Sequence, residues 1–545
     1  MRLFCFISTL LLCGSVYSQT LITNIKGTTV LETGEVVQFS ELAFDGDTIS
    51  AIGDNLARAN IKTVIDGKGH FMLPGIIDAH GHLLELGQTL MVVELRGAQS
   101  EAEAAKRVAS FVARTNGDDW LIGRGWNQVL WPNQTFPTKA SLDALNIDRP
   151  IVLERIDGHA IWVNSKALEL AGITAQTTSP SGGEIVKDAK GQPTGLLIDN
   201  AMYMVQKLIP PASDEARLQK LAIAGEHLLS LGITSMHDAG ISHAVAQFYQ
   251  AQAKANALPV RVYAMLSATD PKLPEMLAQG HVEDSAGMLS IRSVKAYGDG
   301  ALGSRGAALL APYSDDPHNH GLLVTAAEYM PVLFDQVIGA DFQLNYHAIG
   351  DRANRLGLEH FAKSFATHED NTERHRIEHA QIVNVDDLAL FAKYNVIASM
   401  QPTHATSDKN MAEDRLGKAR LKGAYAWQTL LQSGSRIAFG SDFPVELANP
   451  FHGIYAAVTR QDKELEPEGG WLSHEAVTRA QALKGFTLDG AYAAFQDTMI
   501  GSLEVGKKAD FILVDRDIMT VPSREIYDTQ VLQTWINGEL RYQAQ

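Results

Sequence analysis

Pro74-Gly-Ile-Ile-Asp-Ala-His-Gly-His82-Leu83 is the stretch whose reading decides the fold. Ile76 to Ala79 reads as a short buried strand that runs into two histidines spaced i, i+2. Successive side chains on a strand point to opposite faces, so His80 and His82 project to the same side. Two neutral imidazoles on one face can ligate one metal ion. The same pattern also suits two ordinary histidines at a strand end, and the rest of the chain has to decide.

Downstream, apolar β-branched runs alternate with helical patterns. Strands are expected at Ile233–His237, Val260–Leu266, Ile291–Tyr297, Phe342–His347, Arg376–His379, Val396–Met400 and Arg436–Phe439. Helical stretches such as Ala353–Phe365 and Ala424–Gln432 separate most of them. With Ile76–Ala79 first, the pattern predicts an α/β fold with a (β/α)8 TIM-like barrel, although a doubly wound open sheet gives the same alternation. Polar residues at strand ends separate the two. His80 and His82 end the first strand, Lys295 lies in the fourth, His347 ends the fifth, His379 ends the sixth, and Asp442 follows the eighth. A barrel brings its C-terminal strand ends to one mouth, whereas an open sheet spreads them along an edge.

Both chain ends carry short period-2 strand patterns, at about Leu21–Phe71 and again at Asp510–Val514 and Val531–Ile536. They are expected to form one small β-sandwich from residues 19–72 and 500–545, flanking a barrel region at 73–499. Residues 84–228 or so read as a large insertion after the first barrel strand. Within it, Ser100–Thr115 has the pattern of an amphipathic helix, with Ser100 and Glu103 spaced as a capping box.

A net charge of −17 argues against nucleic acid or an anionic membrane as partner, since both select for basic patches. Residues 1–18 read as a secretory signal peptide, with Arg2 before an apolar run from Leu3 to Cys13 and small residues ahead of a cut at Gln19. A lipoprotein reading at Cys13 is weaker because Leu12 is bulky, and an uncleaved anchor is weaker still. The expectation is therefore a secreted or periplasmic protein with no membrane attachment after cleavage. Both cysteines, Cys5 and Cys13, lie in that segment, so the mature chain has no thiolate to offer a metal.

Taken as a set, the motifs resemble the amidohydrolase superfamily, and within it the amidohydrolase family 3 branch that includes N-substituted formamide deformylases. They are PGIIDAHGHL, RIDGHAIWVNSKAL from Arg155 to Leu168, SVKAYGDGALGSRGA around Lys295, NYHAIGDRAN around His347, RIEHAQIV around His379 and FGSDFPVE around Asp442. The resemblance implies a metal site of one or two divalent ions, usually zinc. His80, His82 and Asp442 would bind the first ion and His347 with His379 the second. Lys295 would bridge them as a carbamate, because an unmodified lysine has no acceptor to offer. Metal-generated hydroxide would attack a substrate carbonyl, with Asp442 as base and then acid toward the leaving amine.

The expected activity is hydrolysis of a non-peptide, amide-type carbon–nitrogen bond in a small molecule. A deaminase of the same superfamily is the second reading, disfavoured because Gly350 stands where deaminases place a glutamate. A non-catalytic binding protein is the third. His159, Trp126, Tyr297, Arg305 and His404 are candidates for the substrate pocket. His237 and Asp238 are expected to support the barrel, and His318, His320, His360, His368 and His375 to be surface or helix residues.

Overall fold

A parallel sheet covered on both faces requires near-continuous apolar strands, and the strand segments of this chain meet that demand. The computed structural model describes residues 19–113, 120–155, 160–180, 183–209, 213–303, 305–368 and 372–545; the expected signal peptide and His159 lie outside them. Eight strands follow one another in chain order: β1 (Ile76–Gly81), β2 (Ile233–Ile241), β3 (Arg261–Ser267), β4 (Leu289–Tyr297), β5 (Gln343–Ala348), β6 (Arg376–His379), β7 (Ile397–Met400) and β8 (Ile437–Phe439). Each pairs in parallel with its successor. There is no reversal of strand order, which an open doubly wound sheet would show.

The sheet is a nearly closed barrel of the TIM type. Its last seam is bridged just beyond β8, where Gly81 and Phe443 form a parallel bridge. There the Asp442 N–H donates to the His80 carbonyl at 2.7 Å and the His82 N–H to the Phe443 carbonyl at 2.8 Å. Gly440 permits this approach, since a Cβ there would sit 2.6 Å from the His80 nitrogen.

Strands from the two chain ends share one six-stranded sheet, in which Phe511–Val514 pairs antiparallel with Phe71–Pro74. It packs with a four-stranded sheet of Gln19–Thr23, Glu41–Asp45, Thr48–Gly53 and Ile61–Asp66 around Phe39, Phe44, Met72, Phe511 and Trp535. Fully buried Arg261 at the start of β3 reaches into this layer. Its Nε and Nη2 donate to Asp510 at 2.8 and 3.1 Å.

The chain divides into two compact units, Met1–His82 with Gly225–Gln545, and Leu83–Ala224. The second has its own six-stranded sheet and a core built on Trp126, Trp131 and Trp162. Its helix Glu101–Val112 is capped by Ser100, whose Oγ accepts the Glu103 N–H at 3.0 Å. Glu103 in turn accepts from Gln99 rather than Ser100, which shifts the expected box by one residue.

His375 corrects an expectation: it is not a surface or helix residue but is buried before β6, its ring against Phe361 and Phe365. Its Nδ1 accepts the Leu344 N–H at 2.9 Å, and burial pushes its pKa down to about 3.

Two stability predictions follow from these groups. Asp510→Ala strands the Arg261 charge in the interior and should cost about 3–5 kcal/mol in urea unfolding, much of it recovered in Arg261→Met/Asp510→Leu. For His375, the unfolded chain takes up a proton near pH 6.5 and the folded chain only near 3. Stability therefore falls as pH drops through that window, by at most about 1.4 kcal/mol per unit. His375→Asn should flatten that slope between pH 6 and 4, as read from unfolding midpoints.

Candidate metal centre

The mouth of the barrel collects the polar strand ends. His80 and His82 leave β1 on the same side, with ring centroids 5.8 Å apart. His82 Nε2 lies 3.2 Å and His80 Nε2 3.7 Å from Asp442 Oδ1. The His379 ring sits 4.9 Å from His80 and 4.5 Å from His347. Lys295 on β4 is buried, with Nζ 3.2 Å from His80 Nε2, and among the described residues no carboxylate forms an ion pair with it.

Strand alternation alone does not produce this cluster. On β6, Arg376 and Glu378 share the inner face, so His379 should turn outward. Its backbone is left-handed instead, at φ 74°, which re-aims the imidazole into the mouth. Asp442 is left-handed as well, at φ 61°. Such conformations cost on the order of 1–3 kcal/mol each and concentrate at functional sites.

Three of the imidazoles are each held by their other nitrogen. His80 Nδ1 faces Glu378 Oε2 at 2.5 Å, His82 Nδ1 faces the Ala239 carbonyl at 3.0 Å, and His379 Nδ1 faces Gln401 Oε1 at 2.8 Å. These partners accept, so Nδ1 carries the proton; His80 and His379 are kept neutral with a lone pair on Nε2, while the Asp442 carboxylate outweighs burial and raises the pKa of His82. Oriented, neutral imidazoles of this kind are what metal ligation requires. Burial, and then the neighbouring Lys295, lower the pKa of His80, and burial lowers that of His379. Burial also brings His347 down to about 3. Burial alone would raise the Asp442 carboxyl, but His82, His80, His379 and His404 outweigh it and hold the group well below the usual carboxylate range. The donor set therefore fits a divalent ion, and His80, His82 and Asp442 each offer one ligand atom within 4.8 Å of the others.

Glu378 depends on deeper partners. Arg376 Nη1 approaches its Oε1 at 3.8 Å, donates to His237 Nδ1 at 2.9 Å, and is fully buried. Burial would raise the Glu378 pKa, but His80 and Arg376 lower it to about 2. On the other side, Asp299 accepts the N–H groups of Ala308, Ile349 and Gly350 and lies 3.6 Å from His347 Nε2.

A model of the amidohydrolase family matches residues 63–542. The chain belongs to this family. Protein LONG AFTER FAR-RED 3 of Arabidopsis thaliana is 32% identical over 504 residues, 90% of this chain and 84% of its own length. N-substituted formamide deformylase of Arthrobacter pascens is 25% identical over 509 residues, 89% of this chain and 91% of its own. A crystal structure of an uncharacterized metal-dependent hydrolase from Pyrococcus horikoshii superposes with a TM-score of 0.74 at 28% identity, over 93% of this chain and 99% of that one. This amidohydrolase is accordingly a metal-dependent hydrolase.

The amidohydrolase cluster contains His80, His82, Lys295, His347, His379 and Asp442, and it draws in two of the pocket candidates. His404 Nε2 lies 3.6 Å from Asp442 Oδ2, and the Tyr297 ring is 5.4 Å from Lys295 Nζ. Trp126 is fully buried in the core of the Leu83–Ala224 unit, with its indole N–H donated to the Leu153 carbonyl. Arg305 spends its guanidinium on Asp315 at 2.9 Å. Glu378, Asp78, Asp299 and Gln401 carry positioning roles that the sequence reading did not assign, although a glutamate in a wholly buried strand is itself a signal.

Glu378→Gln places an amide N–H against His80 Nδ1 and favours the tautomer whose Nε2 bears the proton. Metal affinity should fall about 10–100-fold in competition with a chromogenic chelator. Unchanged affinity would remove Glu378 from this role.

Proposed function

We propose that this amidohydrolase cleaves a non-peptide, amide-type carbon–nitrogen bond in a small molecule. The observation that carries this reading is Asp442, buried, held ionised, and set against the Nε2 atoms of His80 and His82 at 3.2–3.7 Å. His80, His82 and Asp442 would hold a divalent ion, with zinc the expected occupant, which would supply a Lewis acid for the carbonyl and lower the pKa of a water. Asp442 would take a proton from the attacking water and return it to the leaving nitrogen, because an amine departs poorly unless protonated. Tyr297 and His404 flank the cluster where a bound substrate would lie.

Lys295 is the group for a carbamate. Burial lowers its pKa and so favours the neutral amine that reacts with carbon dioxide. The N-terminal segment supports export, with cleavage before Gln19.

Deamination is the weaker alternative on steric grounds. A Cβ at Gly350 would lie 2.0 Å from the Ala308 carbonyl oxygen, so no glutamate side chain fits there. A purely binding role is disfavoured because every donor of the cluster is present.

The test is a panel of N-acyl amines, N-substituted formamides among them, with the zinc-loaded protein. Asp442→Asn should lower kcat by about 10²–10⁴ on any active compound. Protein equilibrated with 13C-bicarbonate should give a carbamate carbonyl resonance that Lys295→Ala lacks. Ammonia release from aminated heterocycles, with no amide turned over, would overturn the amide reading.

A further inference from the structure

Next to the metal centre, the helix Pro402–Asp408 borders a second cleft, of about 260 Å³. The helix turns His404 toward Asp442 and lines the cleft with Thr403, Thr406 and Ser407. Glu446 and Leu447, from the loop after β8, line it as well, and the Val445 N–H between them and the site donates to the Asp442 carbonyl at 2.8 Å. The helix Pro450–Thr459 adds His452 and Tyr455. The His452 ring stacks on Tyr527, 3.8 Å between centroids and 7° between planes, which gives the cleft an aromatic side.

Two hydroxyls in this cleft lack a partner. Tyr455 is 1% exposed, and neither its hydroxyl nor the buried hydroxyl of Thr403 has a hydrogen-bond partner among the described residues. Buried polar groups in folded proteins are satisfied, so two orphans lining one cleft call for a guest that bonds to them. The charges around them are uneven. Asp462 pairs with Lys409 at 2.8 Å and Glu464 lies 3.5 Å from Lys463. Glu446 accepts the Ser407 hydroxyl at 2.5 Å and forms no ion pair with a lysine or arginine among the described residues. Burial pushes the His452 pKa down to about 4, so its imidazole is neutral at neutral pH and adds no cation. Acceptor oxygens, one uncompensated carboxylate and aromatic surface together suit a guest that is positively charged, donates N–H bonds and carries a small apolar arm.

We infer that this cleft is a second binding site, for a small organic ammonium. Glu446 takes its charge, the Tyr455 and Thr403 oxygens accept its N–H groups, and the His452–Tyr527 pair takes its apolar arm. The hydrolysis proposed above releases an amine of this class, protonated at neutral pH. Only that link to the product rests on the hydrolase reading. The guest sits against residues adjacent to His404 and four past Asp442, so the two sites share their walls.

The experiment is calorimetric titration of the zinc-loaded full chain with benzylammonium, beside Tyr455→Phe, Glu446→Gln and Asp442→Asn. Tyr455→Phe keeps the ring and removes one unpartnered oxygen, and circular dichroism checks that each variant is folded. Wild type should bind benzylammonium saturably, and each cleft variant at least about 10-fold more weakly, while Asp442→Asn leaves the affinity in place. Benzyltrimethylammonium keeps charge and ring but has no N–H, and it too should bind at least about 10-fold more weakly than benzylammonium. Absence of saturable binding would overturn the inference and leave the two hydroxyls to water. Binding lost in Asp442→Asn but intact in both cleft variants would overturn it by placing the amine at the metal centre. Equal affinity for the two probes would overturn the hydrogen-bonded ammonium. Cleft binding in a protein that hydrolyses no N-acyl amine would uphold the site and remove its link to the product.

Discussion

The site depends on Asp78. Its carboxylate accepts the His80 N–H and the Ser441 N–H through Oδ1, both at 3.1 Å, and the Ser441 hydroxyl through Oδ2 at 2.6 Å. One side chain of β1 thereby fixes the residue before Asp442 and the first histidine of the H-x-H pair, from opposite ends of the barrel sequence. The group is fully buried, and burial pushes its pKa up to about 7 against the pull of those three hydrogen bonds. A carboxylate accepts tolerably in such a place only when its acceptor sites are used. The seam of the barrel and the geometry of the metal centre are thus held by the same hydrogen bonds.

Beneath the donors lies a line of charge that a small parallel barrel rarely buries. Arg376 and Glu378 are both fully buried, and the arginine also donates to the Ala493 carbonyl at 2.7 Å. Such pairs contribute little net stability compared with apolar packing. Their effect here is on orientation: His80 and Arg376 keep Glu378 ionised, Glu378 fixes the His80 tautomer, and His80 presents Nε2 to the mouth.

Much of this was legible in the chain. Long apolar strands and strand-end histidines announced the barrel, because a parallel sheet buried on both faces leaves few alternatives for where polar residues stand. What escaped sequence reading is what periodicity cannot encode. Left-handed backbone at His379 and Asp442 overrides alternation. Gln401 and Asp299 act through side-chain contacts across loops, with no spacing to mark them. An indole beside Asn127, as at Trp126, looks alike in a pocket wall and in a core; only packing tells the two apart.

The pairing of Phe71–Pro74 with Phe511–Val514 bears on how the molecule is made. During synthesis the strands Lys26–Val30 and Phe71–Pro74 emerge long before the partner that covers their open edge. The barrel seam waits in the same way, since Gly81 meets Phe443 only after all eight strands exist. Contacts this distant in sequence close slowly and leave strand edges uncovered in the meantime. A chain truncated shortly before Phe511 would therefore be a protein with the residues of its candidate metal centre all present and its outer sheet unsealed, a substrate for chaperones and proteases rather than a smaller enzyme.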